Sequence, residues 1–496
     1  MAGILGARRL NIGPEIRARA SALTAHNRQG TVPLPAYIGR PGMVLISDSH
    51  GAVDTYLKLY EALPSTVRFG IDLGDKVDRG PSPIEMNYVL QTLRVRRVLG
   101  NHDAMWVAAG LGVPAQSIEL VRWLMRYNEV DFLTSALGVD LKPLTQFAGS
   151  RFSEGAHRID VKSKRFKSEE AAATYLKIIA EAGVRFPEHR STELSPSDLR
   201  IREALFLKGS AEALAPSERD IFNRLTGDAP LSGDDQSYFY RLMGGLKVLQ
   251  PEEQAVVNHF ANEFRNNYAF YQFVKWMAGE GDLYLNFRIR QGYSSDILAL
   301  HATVPLTADG ELAEFDGRYG REALLHLKDR IQLGLEAWRQ MLEHDDQGLL
   351  EMHQNDISVL GLLPWDRRSP IYARQMQTAA RAVLNEKTGT WEEPKEPFFS
   401  VFEKGEDLQA LANARRNIAA SFGFRNPNNF VIVRGHEPSK DGMFQVFAGG
   451  TVINIDGGMA EKYGGKGGAL VMGSAGAAWL AYPSMNYTRV PLPESV

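Results

Sequence analysis

Three short blocks of acidic, histidine and amide residues lie within residues 48–103, and each of them follows an apolar run. The blocks are Asp48-Ser49-His50, Gly74-Asp75-Lys76-Val77-Asp78-Arg79-Gly80 and Gly100-Asn101-His102-Asp103. Carboxylate, imidazole and amide ligands together suit Mn²⁺, Fe or Zn²⁺ better than Ca²⁺, which prefers oxygen ligands alone. Two such ions about 3.5–4 Å apart can hold both the attacking and the leaving oxygen of a phosphoester. The pattern therefore predicts a two-metal site that cleaves phosphoesters.

The blocks also predict how the metals are held. We expect Asp48 and His50 to bind metal, Asp75 to bridge the two ions, and Asn101 to bind without adding negative charge. The nucleophile would be a hydroxide shared by the ions, because metal binding lowers the pKa of water from about 15.7 towards 7.

Three further residues of the blocks are predicted to act on the substrate. His102 follows a metal ligand directly and is the expected general acid for the leaving alkoxide. Asp78 is expected to orient that imidazole and to raise its pKa, as a carboxylate partner does. Arg79 offers a planar fork of donors for the phosphoryl oxygens.

These side chains must be positioned by the elements that precede them. The β-branched and apolar composition predicts strands at 43–47, 66–73 and 95–99, with helices between them at 56–63 and 84–93. This β-α-β-α-β order implies parallel strands with right-handed crossovers. The three blocks would then lie along one edge of a sheet, where open α/β sheets place their sites.

Two octahedral ions need more ligands than the three blocks supply. An apolar strand at 296–300 ends at His301, and another at 430–434 leads to His436. A histidine beside an apolar strand is often a satisfied core residue. The need for distal ligands favours metal binding for both of these.

Composition and charge exclude several classes of function. Hydrophobic content of 44% and charged content of 23% are ordinary for a globular protein, and a net charge of −3 gives no reason to expect nucleic acid. The chain has no cysteine, which excludes disulfides and Cys-type zinc sites. No signal peptide is evident, and the apolar stretch 467–482 indicates core strands rather than a membrane span. We expect a cytoplasmic protein without a membrane partner, with homo-oligomerisation left open.

The coarse organisation is an N-terminal arm at 1–40 and a catalytic domain at 41–496, with a mostly helical insertion at about 115–280. Helices are predicted within the insertion at 117–127, 171–182, 195–207 and 252–277. Strands return at 283–305 and from 429 onwards, after a long helix at 321–343. The expected fold class is α+β, an α/β-type β-sandwich flanked by helices, with the metals between the sheets.

The order of the blocks and the distal histidines resembles that of the calcineurin-like metallophosphoesterase superfamily, and of phosphoprotein phosphatases within it. A narrower resemblance is to class III fructose-1,6-bisphosphatases. It extends from about residue 40 to 483 and rests on 78–83, 100–106, 126–128, 138–144, Ser369-Pro370-Ile371-Tyr372, 393–399, 435–438 and Ile455-Asp456-Gly457-Gly458.

This resemblance implies a four-layer α-β-β-α core, Mn²⁺, and hydrolysis of fructose 1,6-bisphosphate to fructose 6-phosphate and phosphate. It implies the same metal ligands, Asp48, His50, Asp75, Asn101, His301 and His436, and the same roles for His102, Asp78 and Arg79. It also implies that Arg368, which aligns with a family lysine before Ser-Pro, and Lys395 bind substrate.

Two departures from the family pattern leave alternatives open. The chain lacks the long helical insertion that members usually carry between Asp48 and Asp75, and Asp366-Arg367-Arg368-Ser369-Pro370 replaces Gly-Pro-Lys-Ser-Pro. The alternatives are a phosphatase of another sugar monophosphate and a phosphoprotein phosphatase, against which the Ser-Pro and Glu-Pro-Lys stretches speak. A non-catalytic metal-bound scaffold would have lost a ligand or His102, and all these groups are present.

Overall fold

The computed structural model describes residues 12–24, 32–67, 69–152, 157–158, 165–185, 194–206, 211–227, 231–232, 234–235, 238–239, 242, 249–279, 281–288, 296–344, 348, 350, 369, 371, 383–384, 391–392, 401–404, 407–439 and 441–493. The chain forms two compact units. We call residues 1–107, 272–380 and 394–496 the sheet unit, and residues 108–271 and 381–393 the helical unit.

The described helices follow one another in chain order. They are α1 Pro14–Ala22, α2 Val53–Ala62, α3 Pro83–Thr92, α4 Asn101–Gly110, α5 Pro114–Arg126, α6 Asp131–Ser135, α7 Lys142–Arg151, α8 Ser168–Arg185, α9 Pro196–Phe206, α10 Pro216–Thr226, α11 Pro251–Asn266, α12 Tyr268–Ala278, α13 Gly320–His344, α14 Val401–Lys404 and α15 Leu408–Phe422.

The described strands are mostly short. They are β1 Pro41–Ile46, β2 Phe69–Asp72, β3 Arg96–Arg97, β4 His157–Arg158, β5 Arg165–Phe166, β6 Tyr284–Arg288, β7 Asp296–Leu300, β8 Glu314–Phe315, β9 Arg318–Tyr319, β10 Val383–Leu384, β11 Trp391–Glu392, β12 Phe430–Arg434, β13 Gln445–Phe447, β14 Val452–Asn454, β15 Gly467–Gly473, β16 Ala477–Tyr482 and β17 Asn486–Val490.

One six-stranded mixed sheet of the sheet unit carries the three sequence blocks. Its strand order is β17-β16-β15-β1-β2-β3. Strands β1, β2 and β3 are parallel, with α2 and α3 as their crossovers, so the predicted β-α-β-α-β pattern is confirmed. Strand β1 also pairs antiparallel with β15, which continues through β16 to β17 as an antiparallel meander. The prediction of core strands within 467–482 is confirmed as well.

A second, five-stranded mixed sheet of the same unit carries the distal histidines. Its order is β13-β14-β12-β7-β6, and β12 runs parallel to both β7 and β14. Because Val433 lies opposite Ala299, β7 and β12 end side by side. His301 and His436 therefore leave the same edge of this sheet.

The two sheets share one apolar core. Leu45 of the first sheet belongs to the same buried cluster as Ile297 and Val433 of the second. Its neighbours Val44 and Ile46 face the other way, into a cluster with residues of α2 and α3. This alternation is what a strand buried on both faces requires. The sheet unit is thus a β-sandwich with helices against its six-stranded sheet, and the α+β class is confirmed.

In the helical unit, α8 packs against α5 and α7, and α11 packs against the same two helices. The prediction of one helix over 252–277 is wrong, because the helix is interrupted at Asn267. The Asn267 side chain accepts from the Phe270 N–H at 3.0 Å and donates to the Leu137 carbonyl at 2.8 Å. An asparagine side chain that bonds nearby backbone groups competes with the helix and starts a new one.

No helix among the described ranges has both the length and the apolar character needed to cross a membrane.

Candidate metal centre

All six predicted metal ligands lie close together in the sheet unit, at the ends of five strands. They are Asp48 and His50 after β1, Asp75 after β2, Asn101 after β3, His301 after β7 and His436 after β12. Each of them is at most 6% exposed. Buried carboxylates and imidazoles at this density need compensating positive charge.

The ligand atoms form two groups that share one carboxylate. In the first group, one atom each from Asp48, His50 and Asp75 lie within 4.8 Å of one another, and in the second the same holds for Asp75, His301 and His436. Asp75 Oδ2 lies 3.9 Å from His50 Nε2, and Asp75 Oδ1 lies 3.4 Å from His301 Nε2. The two oxygens of Asp75 thus face different groups, as a bridging carboxylate would.

Asn101 joins the second of these groups. Its Oδ1 lies 3.2 Å from His301 Nε2, which is also 3.2 Å from His436 Nδ1.

Backbone carbonyls fix which nitrogen of two histidines faces the centre. His50 Nδ1 lies 2.9 Å from the Val77 carbonyl, and His301 Nδ1 lies 2.8 Å from the Leu73 carbonyl. A carbonyl only accepts, so Nδ1 carries the proton in both rings and Nε2 presents a lone pair inward. Such outer hydrogen bonds orient histidine ligands in metal sites.

Several site residues adopt a left-handed backbone conformation, which is uncommon outside glycine. The φ angles are 51° at Asp48, 42° at His50, 55° at Asp75, 79° at Asp78 and 74° at His436. Such strain persists only where the surroundings enforce it, and it clusters at functional sites.

Glycines let the backbone approach the carboxylates closely. A Cβ on Gly100 would lie 2.0 Å from Asp75 Oδ1, and a Cβ on Gly435 would lie 2.2 Å from Asp48 Oδ2. The glycines of the third block and of the distal Arg-Gly-His stretch are therefore required by the carboxylates beside them.

Sequence reasoning missed the carboxylate that links the second and third blocks. Asp103 accepts backbone N–H groups from Asp75 and Lys76 at 3.1 Å and from Gly100 at 2.9 Å. The Lys76 ammonium lies 2.5 Å from the same carboxylate, and both side chains are fully buried. The sequence signal was the position of Asp103 in the first turn of α4, where a carboxylate accepts backbone N–H groups.

The predicted acid pair lies beside the two metal-ligand groups. His102 Nδ1 donates to Asp78 Oδ2, so His102 Nε2 faces the opposite way. Arg79 directs Nη2 to His102 Nε2 and Nη1 to His50 Nε2, the latter at 2.9 Å. The guanidinium fork therefore lies between these two rings.

The charges of this cluster shift the pKa values of its members. Burial acts to raise the pKa of Asp78, but the charge of His102 and its hydrogen bond outweigh it and hold that pKa well below its usual range. Burial likewise opposes ionisation of Asp75, yet His301, His102 and His50 lower its pKa. Both carboxylates are therefore anionic at neutral pH.

Two further buried carboxyl groups lie near the centre, and burial disfavours their charged forms. Burial and then the charge of Asp48 raise the pKa of Asp456 well above its usual value, and burial raises the pKa of Asp72 to about 7. Sequence reasoning assigned no role to either residue. Crowded buried carboxylates with inward-facing imidazole nitrogens fit divalent cations.

Arg368 and Lys395, the predicted substrate-binding residues, lie outside the described residues.

The sequence model of the Firmicute fructose-1,6-bisphosphatase family matches residues 67–182 and 246–489 of this chain. The match covers most of the chain, including the second and third blocks and both distal histidines. The first block lies outside it.

Three proteins similar to this chain are described as class 3 fructose-1,6-bisphosphatases. The protein of Lactococcus lactis subsp. lactis is 24% identical over 428 residues, covering 82% of this chain and 61% of the relative. Those of Fusobacterium nucleatum subsp. nucleatum and Clostridium beijerinckii are 27% identical over 406 residues and 23% identical over 442 residues. These cover 79% and 85% of this chain, and 56% and 61% of the relatives. The chain thus spans about three fifths of the length of these relatives.

Proposed function

Because the chain belongs to the Firmicute fructose-1,6-bisphosphatase family, we propose that it is a metal-dependent sugar-phosphate phosphatase, a phosphoric monoester hydrolase. The simplest substrate is fructose 1,6-bisphosphate, with fructose 6-phosphate and phosphate as products. The observation that carries the proposal is that Asp75 is shared by two ligand groups which lie beside the Arg79 fork and the His102–Asp78 pair. We also propose the complete four-layer α-β-β-α arrangement, a cytoplasmic location and a gluconeogenic role.

The metal ligands proposed are those that the two groups contain. Asp48, His50 and Asp75 would hold one divalent ion, and the other would be held by Asp75 together with Asn101, His301 and His436. We propose Mn²⁺, with Fe or Zn²⁺ as alternatives that the same donor atoms suit. Bound there, the ions would supply Lewis-acid stabilisation of phosphoryl oxygens and activation of water.

The side chains beside the metal ligands would bind the phosphoryl group and protonate the leaving oxygen. Arg79 binds the phosphoryl group through its two terminal nitrogens, in the bidentate manner that guanidinium favours. A phosphoryl group on this fork lies next to His102 Nε2, because Arg79 Nη2 is already in contact with that atom. His102 gives a proton from Nε2 to the oxygen of the leaving sugar, and Asp78 orients the ring and stabilises its charged form.

The identity of the sugar phosphate depends on features that differ from the family pattern. Helix α2, Val53–Ala62, is the single helix between the first and second blocks, in place of a long insertion. Because of this departure, another sugar monophosphate is the alternative substrate. We propose Arg368 and Lys395 as contacts to the second phosphate of a bisphosphate.

Phosphate release from a panel of substrates in the presence of Mn²⁺ tests this proposal. The panel holds fructose 1,6-bisphosphate, fructose 6-phosphate, other hexose and pentulose phosphates, and a phosphopeptide. Preference for the bisphosphate is the expected result. Preference for a monophosphate would change the proposed substrate but keep the proposal that the protein is a metal-dependent phosphatase. Activity on the phosphopeptide alone, or on nothing, would overturn the proposal.

A further inference from the structure

A tyrosine that the proposed mechanism does not use lies against the Arg79 fork. The ring centroid of Tyr463 is 5.0 Å from Arg79 Cζ and 6.3 Å from the His50 ring centroid. Tyr463 is 36% exposed, whereas the Arg79 side chain is 11% exposed. The ring therefore covers the guanidinium from the more open side.

The backbone holds this ring in place. Residues Glu461–Tyr463 form a single 3₁₀ turn, in which the Tyr463 N–H donates to the Ala460 carbonyl at 2.8 Å. The turn ends at Gly464, whose φ of 107° and N–H bond to the Glu461 carbonyl reverse the chain towards β15. A Cβ on Gly458 would lie 2.9 Å from Tyr463 Cβ. The tyrosine is thus packed tightly at its base and is not a loose surface residue.

Some contacts of Arg79 must break when substrate binds, and its contact with Tyr463 can remain. Arg79 makes hydrogen bonds to His50 Nε2 and His102 Nε2, among other interactions. Under the proposed function, the first of these atoms binds metal and the second delivers a proton, so both must release Arg79 when substrate is present. The contact with Tyr463 is of another kind, because Arg79 Cζ lies over the ring. A cation–π attraction to the ring does not require Arg79 to give up the N–H donors that would bind phosphate.

We propose that Tyr463 is a positioning residue that holds the Arg79 fork in the orientation that accepts a phosphoryl group. The ring restricts the plane of the guanidinium through a cation–π contact, so fewer orientations are lost when phosphate binds. This inference rests on the proposed function for the identity of the ligand, a phosphate monoester. It assigns Tyr463 to phosphate affinity and not to metal binding or proton transfer.

Three substitutions separate the ring face from other properties of Tyr463. Tyr463→Phe keeps the π face and removes the hydroxyl, Tyr463→Leu keeps apolar volume over Gly458 without a π face, and Tyr463→Ala removes both. For each variant we would measure kcat and KM on the best substrate, the inhibition constant of inorganic phosphate, and the Mn²⁺ content.

The Leu and Ala variants should raise KM and the inhibition constant of phosphate by the same factor, about 3- to 10-fold, which is the range of a partly desolvated cation–π contact. The Phe variant should stay within about twofold of wild type, and all should keep the wild-type Mn²⁺ content. In an Arg79→Ala background, Tyr463→Leu should have no further effect on either constant, because the ring acts through Arg79.

Three outcomes would overturn the inference. Leu and Ala variants with unchanged constants would show that the ring does not act on phosphate. A rise in KM without a rise in the inhibition constant of phosphate would indicate that Tyr463 contacts the sugar and does not act on the phosphate. A Phe variant as impaired as the Leu variant would assign the effect to the hydroxyl.

Failure of the proposed function is distinguishable from failure of this inference. If the wild-type protein hydrolysed no phosphoester, the proposed function would be rejected. Calorimetric titration of inorganic phosphate into the Mn²⁺-loaded variants would still measure the effect of Tyr463. Equal phosphate affinity of the wild-type and Leu proteins in that titration would reject the inference by itself.

Discussion

His102 is held by Asp78 on one side and faces Arg79 on the other, which leaves Nε2 as the atom that meets a substrate. If His102 is the general acid that we propose, Nε2 is the nitrogen that would deliver the proton, a point that its position in the chain left open. An oxygen of the proposed metal ligand Asp75, Oδ2, is 4.0 Å from His102 Nε2. The ring is therefore close enough to the proposed metals to act on the same phosphoester, without belonging to either ligand group.

Substitution of His102 by alanine should lower kcat on a sugar phosphate by about 10²–10⁴-fold, the usual range for general acid catalysis. The loss should be much smaller on an aryl phosphate, whose phenolate leaves without needing a proton. Steady-state kinetics on both substrates, with Mn²⁺ content measured alongside, checks this. Equal losses on the two substrates would remove His102 from the protonation step.

At the scale of elements, glycines at strand ends decide how near two loops can come. Gly435→Ala places a Cβ 1.7 Å from Ser47 Oγ and 2.2 Å from Asp48 Oδ2, so it should displace the side chains of both residues. We expect Mn²⁺ affinity to fall at least 10-fold. Gly149→Ala in α7 is the matched control, since an added Cβ there meets no atom within 4 Å. Calorimetric Mn²⁺ titration of both variants tests this, and unchanged affinity of Gly435→Ala would contradict it.

In the helical unit, a buried ion pair of α5 contacts α8. Glu119 accepts from Arg122 at 2.5 Å and lies 3.8 Å from Lys177. Burial acts to raise the pKa of Glu119, but Arg122 and Lys177 outweigh it and lower that pKa to about 2. A lowered folded-state pKa adds stability above the unfolded value near 4.5, and this stability is lost as the pH falls from there towards 2.

Glu119→Gln should therefore destabilise the protein at pH 7 by on the order of 3 kcal/mol, and by much less at pH 3. Urea unfolding of wild type and variant at both pH values measures the difference. A destabilisation that does not depend on pH would indicate a packing defect and not the loss of the charge.

The sequence located the strand ends of this site well because the signal is local. A β-branched run followed by Asp-Ser-His or Gly-Asn-His shows both the strand and its ligands within a few residues. Asp456 and Tyr463 gave no comparable signal, and Asp103 lies in the first turn of a helix, α4, that the sequence analysis did not predict. Their partners are backbone groups and side chains brought close by the fold, such as the N–H of Asp75 and the guanidinium of Arg79.

At the scale of the whole molecule, the fold supplies a part of the site that the match to the family's sequence model does not include. The family match begins at residue 67, after Asp48 and His50. Strand β1 nevertheless pairs with β2 in parallel, and the His50 N–H donates to the Asp75 carbonyl at 2.9 Å. The first block is thereby fixed to the second by ordinary strand pairing.

If the buried carboxylates hold divalent cations as we propose, the stability of the folded protein should depend on the concentration of those cations. Ions that bind the folded state and not the unfolded chain should stabilise it by about 2.7 kcal/mol per site at 100 times Kd. We expect the melting temperature to rise with Mn²⁺ concentration and to fall after chelation. Thermal unfolding at several Mn²⁺ concentrations measures this, with Asp75→Asn as the variant in which the rise should be smallest. A melting temperature that Mn²⁺ does not move would argue against buried metal sites.

The main proposal is that phosphoester hydrolysis by this protein needs two divalent ions, which Asp75 would join. Its most direct test is phosphate release from fructose 1,6-bisphosphate while chelator-stripped protein is titrated with Mn²⁺, with bound metal counted by native mass spectrometry. We predict that activity rises to a plateau when two ions are bound per chain. Full activity with one bound ion, or in metal-free protein, would contradict the account.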